Sequence, residues 1–142
     1  MNWNDVTTAI LRSPLHGLMS GSTMLITVTG RKSGRTITTP VNYVWSGKRL
    51  LVTSLVKRTW WRNLLGGAPI SVLLRGKAIR GTAYARTGPG PVTQPLMALL
   101  AEKPAWATRF GIRRQADGSF EAADLRRAAG ERVVVEIGLE NV

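Results

Sequence analysis

Between residues 23 and 85 the chain repeats one pattern: a short run of β-branched and aromatic residues, then a tight turn. Met24–Thr29 runs into a cation-loaded turn at Gly30–Gly34, Thr36–Trp45 into Ser46-Gly47, and Leu50–Val56 extends again. Ile70–Leu74 and Ala78–Ala85 follow, joined by Arg75-Gly76-Lys77. Several short strands with turns this tight point to an antiparallel sheet closed into a small barrel, which leaves no free edge. Thr59–Leu65 breaks the alternation. It reads as one or two helical turns, stopped by Gly66-Gly67 and Pro69.

Helical patterns flank these strands. Asp5 is a candidate cap for a short helix through Leu11, and Ser13-Pro14 repeats the cap-plus-first-turn signal, giving an N-terminal helical segment over 1–22. Gly88-Pro89-Gly90-Pro91 punctuates the chain after the strands. Thr93–Glu102 then suits a helix with Leu96, Leu99 and Leu100 inward. Ala123–Ala129 suits another, ended by Gly130, and Val133–Ile137 a last, buried strand. The expected class is α+β, mainly β. A single domain spans 1–142, with the main barrel strands in 23–85 and helices plus a closing strand in 86–142.

Charge narrows the chemistry. Val6–Ala101 contains no acidic residue yet holds thirteen of the twenty Lys and Arg, whereas Glu102–Val142 carries seven of each sign. The net charge of +12 therefore resides in the long middle segment. Without internal counter-ions, such a segment keeps a positive field for an external anion. It also offers no carboxylate pair for acid–base work. The absence of cysteine excludes thiolate nucleophiles and cysteine-ligated metals, and fits a reducing compartment. His16, the single histidine, cannot build a metal site alone, so no metal is expected.

Gly17 and Ser20–Thr23 interrupt the apolar run after Arg12, which does not read as an export signal. No apolar segment approaches the ~20 residues of a spanning helix. The expected location is cytoplasmic, with peripheral contact to an anionic membrane left open.

Two segments carry the chemistry. Gly30-Arg31-Lys32-Ser33-Gly34-Arg35 combines glycines that let backbone N–H groups turn outward, a hydroxyl and three cations, the mixture a phosphate needs. The competing reading is a solvated hairpin turn whose charges discourage edge pairing. Ser54–Leu64 places Trp60 and Trp61 among Lys57, Arg58 and Arg62, next to Asn63. Indoles offer flat faces and an N–H donor. The competing reading is a short amphipathic plug for a barrel end, and both can hold together.

Thr29–Arg35, Thr39-Pro40, Tyr43, Ser54 and the run Trp60-Trp61-Arg62-Asn63-Leu64 form a pattern that resembles the deazaflavin-dependent nitroreductase and quinone-reductase family. The resemblance covers roughly Ser13 to Gly81 and, more weakly, the final strand. It implies a split β-barrel like that of flavin-binding oxidoreductases, and the cofactor coenzyme F420, an anionic deazaflavin with a phosphodiester and a γ-glutamyl tail. By position, Arg31, Lys32, Ser33, Gly34 and Arg35 would hold the phosphate and tail, and Thr39 and Pro40 would lie along the ribityl side. Ser54, Lys57, Trp60, Trp61 and Asn63 would border the ring or phosphate. Ser54 is the candidate catalytic group, as proton donor. The resemblance implies hydride transfer from the reduced deazaflavin to a small quinone, nitro or enone acceptor.

Ile37 stands near the place where the family often has another cation, and Tyr43 and Tyr84 are the only tyrosines. Flavin mononucleotide is the alternative cofactor. The alternative function is a non-catalytic split-barrel protein binding flavin, lipid or another anionic ligand. A homodimer is left open. Specific nucleic-acid binding is not expected, because no reading helix or aromatic-studded basic sheet accompanies the charge.

Overall fold

The computed structural model of the protein describes residues 22–140. Apart from Ser22, the expected N-terminal helical segment, with Asp5 and His16, lies outside the described residues. Six strands follow the alternation read from sequence: β1 (Thr23–Thr29), β2 (Thr36–Ser46), β3 (Arg49–Leu55), β4 (Ala68–Leu74), β5 (Lys77–Arg86) and β6 (Arg132–Leu139). A 3₁₀ turn at Trp60–Leu64 separates β3 from β4. Helices α1 (Pro89–Glu102), α2 (Trp106–Arg109) and α3 (Ala122–Glu131) lie between β5 and β6.

All pairings are antiparallel, and the sheet closes in the order β1-β2-β3-β6-β5-β4. Thr29 faces Thr36 across the first hairpin, so residues 30–35 form its loop. Closure comes from Ile26 facing Val72, joining β1 to β4. β6 enters between β3 and β5, with Val133 opposite Ser54 and Val135 opposite Ala85. The protein is mainly β: a six-stranded antiparallel barrel with three short helices among the described residues.

Period-2 alternation builds two cores. Inside the barrel, Met24, Ile26, Val28, Leu50, Val52, Val133, Val135 and Ile137 pack with Trp60, Trp61 and Leu64 from the 3₁₀ turn, which plugs one end. Outside it, Val44, Leu51 and Val134 meet Leu96, Leu99 and Leu100 of α1 and Ala128 and Ala129 of α3. β6 reads as an unbroken apolar run because both of its faces are covered.

Two helix boundaries differ from the sequence expectation. α1 starts at Pro89, not Thr93: Gly88 sits before it at φ 92°, and proline at the first helical position has no N–H to waste. α3 runs through Gly130 to Glu131, and the strand follows at once. Gly130 has helical neighbours on both sides and does not take a left-handed conformation, so it is no stop signal.

The expectation of a middle segment without internal counter-ions is corrected in part. Glu136 of β6 lies between β3 and β5 and pairs with Arg49 at 3.4 Å and Arg86 at 3.2 Å. The remaining ion pairs among the described residues join Arg113 and Arg127 to acids of the same C-terminal region. Arg31, Lys32, Arg58 and Arg62 meet no carboxylate among the described residues.

Candidate functional site

The hairpin loop at 30–35 and the 3₁₀ turn come together. Asn63 Oδ1 accepts from the Arg31 backbone N–H at 3.0 Å, while Asn63 Nδ2 donates to Trp60 O at 3.0 Å. Arg31's guanidinium donates to the Leu65 and Gly67 carbonyls, the latter at 3.3 Å. These bonds fasten the cationic loop to the barrel plug. Between them opens a cleft of about 410 Å³, lined by Gly30, Arg31, Lys32, Ser33, Ile37, Thr59, Arg62 and Asn63. No carboxylate lines it.

The loop is less of a backbone cradle than its glycines imply. Gly30 N–H donates to Arg35 O and Gly34 N–H to Gly30 O, both at 2.8 Å. Arg35 N–H reaches Ser33 Oγ at 3.2 Å. With Arg31 N–H on Asn63, four of the six backbone donors are used internally, so the donors the loop leaves for the cleft are mainly side chains. The glycines serve geometry: Gly34 sits at φ 70°, and a Cβ on Gly30 would lie 2.7 Å from Ser33 Oγ.

A second cleft of about 260 Å³ shares the segment Arg58–Asn63 as a wall; Pro40, Ser54, Arg58, Trp60, Trp106, Arg109 and Arg132 are among its lining residues. Ser54 is buried, accepts from Trp60 Nε1 at 3.2 Å and donates to Leu55 O at 3.3 Å. Thr39 is also buried and lines neither cleft, but Arg58 Nη2 donates to its Oγ1 at 3.4 Å. The structure thus divides the expected site residues. Arg31, Lys32, Ser33 and Asn63 gather at the first cleft, and Pro40, Ser54 and Trp60 at the second. Gly34, Arg35 and Lys57 are exposed and line neither cleft.

Trp61 belongs to the barrel core, and its indole N–H has no partner among the described residues. Its ring carries the Arg62 guanidinium 5.6 Å above its centre, so it serves the first cleft by holding that cation.

Arg109 and Arg132 escape the sequence reading because they lie in the segment whose charges balance. A signal existed: Arg132 directly precedes the buried run Val133–Val135, so the backbone must carry it to the barrel rim. Its guanidinium stacks on Phe110 at 3.9 Å and donates to Thr53 Oγ1 at 3.3 Å. Burial pushes its pKa below the ordinary arginine value; Glu131 opposes this, and the Arg109 charge adds to it.

The structure is thus a closed antiparallel barrel with two clefts lined by cations and by no carboxylate. The sequence model for the F420H(2)-dependent quinone reductases matches residues 10–109, and the chain belongs to that family. No curated protein matches it. Among solved structures, a candidate pyridoxamine 5′-phosphate oxidase from Listeria innocua is similar at TM-score 0.54 and 14% identity, over 99% of this chain and 95% of that one. A domain-swapped dimer gives 0.55 and 19%, over 96% and 95%. A pyridoxamine 5′-phosphate oxidase-related, FMN-binding protein from Nostoc punctiforme gives 0.52 and 9%, over 96% and 79%. At these identities the likeness is one of fold.

Proposed function

We propose that the protein is a reductase that uses a reduced deazaflavin, coenzyme F420, to reduce a quinone, nitro or enone acceptor. The observation that carries this reading is the first cleft: a cationic loop bonded through Asn63 to the indole-bearing plug, with no carboxylate facing it. Its donor set fits an anionic, phosphate-bearing cofactor, since Lys32 and Arg62 supply charge and Ser33 and Asn63 supply hydrogen bonds. Arg31 adds charge while fastening the loop. When bound, the reduced deazaflavin supplies a hydride, which the acceptor takes up together with a proton from water or a hydroxyl.

The chain's own residues position and desolvate. Trp60 forms part of the second cleft's wall and fixes Ser54 through its N–H. Ser54 is the candidate proton donor; its bond to Leu55 O is long enough, at 3.3 Å, for a ligand to replace.

The test is a titration of oxidised coenzyme F420 followed by fluorescence, then mixing of the reduced form with menadione. Binding is expected at micromolar level and to weaken with salt. Lys32→Ala weakens it about tenfold, as loss of one charge-assisted contact does. Arg86→Ala leaves it unchanged, because Arg86 lines neither cleft and its guanidinium is turned to Glu136. Equal effects of the two substitutions would show diffuse charge attraction only. Binding without consumption of reductant identifies a carrier instead.

A further inference from the structure

The second cleft gathers three arginines from three separate places in the chain: Arg58 after β3, Arg109 at the end of α2 and Arg132 at the start of β6. None forms an ion pair in contact with a carboxylate among the described residues, although the Glu131 charge acts on Arg132 from farther off. Each is instead held by a neutral or aromatic group: Arg58 by Thr39 at 3.4 Å, Arg109 by the Trp106 ring at 5.4 Å, and Arg132 by Phe110 and Thr53. Such contacts orient a guanidinium without cancelling its charge. Like charges around a partly desolvated cleft repel one another, and the cost falls when an anion sits among them. Arginine suits this task because its planar fork meets a carboxylate, sulfonate or phosphate with two parallel hydrogen bonds.

We infer that the second cleft is an anion site separate from the loop cleft, and that it takes the anionic group of a conjugated acceptor. Naming the ligand as the acceptor rests on the reductase reading; the anion site does not. Phe110 and Arg132 lie beyond residues 10–109, the span that the family's sequence model matches. The favoured acceptor is then a conjugated molecule, quinones included, that bears a carboxylate or sulfonate.

The experiment uses the full chain without cofactor. Isothermal titration compares 9,10-anthraquinone-2-sulfonate with its uncharged analogue 2-(hydroxymethyl)-9,10-anthraquinone. The sulfonate is expected to bind one-to-one and about tenfold tighter, the effect of a charge-assisted hydrogen bond. Arg109→Gln and Arg132→Gln should each abolish most of that preference, while Lys32→Ala in the other cleft retains it. Arg132 is half-buried, so a thermal melt accompanies its variant; should that variant unfold, exposed Arg109 decides the matter.

Equal affinity for the two probes, or an equal loss in Lys32→Ala, overturns the anion site. A second arm adds reduced coenzyme F420 and measures KM for both probes. A sulfonate preference in binding with no reductant consumed sinks the reductase reading and the acceptor assignment, leaving the anion site standing. Consumption of reductant with no preference in binding or KM sinks the anion site and leaves the reductase reading intact.

Discussion

Asn63 shows how much of the candidate site hangs on single amides. Its two ends bridge the Arg31 N–H and the Trp60 carbonyl, each at 3.0 Å, so one side chain sets the distance between cationic loop and indole plug. Asn63→Ala leaves both backbone groups to water, and the expected destabilisation is about 0.5–1.5 kcal/mol. Thermal unfolding should show it, together with weaker deazaflavin binding by fluorescence titration. Asn63→Asp keeps the acceptor for Arg31 but loses the donor and places a negative charge in the cleft. Its affinity should fall below that of the alanine variant at low salt and approach it as salt rises. An aspartate variant that binds as tightly as the original would show that no anion sits there. The sequence made Asn63 legible as a polar residue beside two indoles, but not as the fastening, because its partner lies 32 residues away.

At the scale of elements, the barrel is legible wherever side chains alternate and less so where glycine and proline carry more than one meaning. The runs of β1 to β5 are visible because each turns alternate residues into the barrel core, while β2, β3 and β6 also bury Val44, Leu51 and Val134 on the outer face. Gly88-Pro89 reads equally as a break and as a helix start, and only packing of Leu96, Leu99 and Leu100 against the sheet selects the second. Gly81 hides a stronger constraint than any turn glycine. A Cβ there would lie 2.4 Å from the Gly138 carbonyl oxygen and 3.1 Å from Leu139 Cα, both backbone atoms of the neighbouring strand. Gly138 itself has open space where its Cβ would be. Gly81→Ala must therefore push β5 and β6 apart, costing about 1–3 kcal/mol, the range of core overpacking. Gly138→Ala should stay within about 0.5 kcal/mol of the original. Denaturant midpoints of the two variants compare directly, and similar losses would mean that the β5–β6 approach is not tight.

Across the whole molecule, what the sequence shows most plainly is charge, and what it hides is which charges meet. Thirteen cations in Val6–Ala101 foretell a positive field. Only the fold shows Glu136 inserted between Arg49 and Arg86, while Arg109 and Arg132, from the balanced C-terminal segment, join Arg58 at a cleft. The excess charge that remains acts on folding and on binding with opposite signs. Self-repulsion destabilises the compact chain, so sodium chloride raised from about 0.01 to 0.5 M, which shortens the Debye length from roughly 30 Å to below 10 Å, should increase Tm. The same screening should weaken the attraction for an anionic cofactor. Screening alone makes no distinction among salts at equal ionic strength, whereas a built anion site does. Phosphate matched to chloride in ionic strength should therefore raise Tm further, by mass action on the folded state. Because phosphate also stabilises folded proteins generally by exclusion from their surface, the comparison is made again in Lys32→Ala. The extra increment should shrink there if the loop cleft holds the ion. An increment unchanged by that substitution would remove the first cleft as a phosphate site and leave the effect to general salt action or to the second cleft.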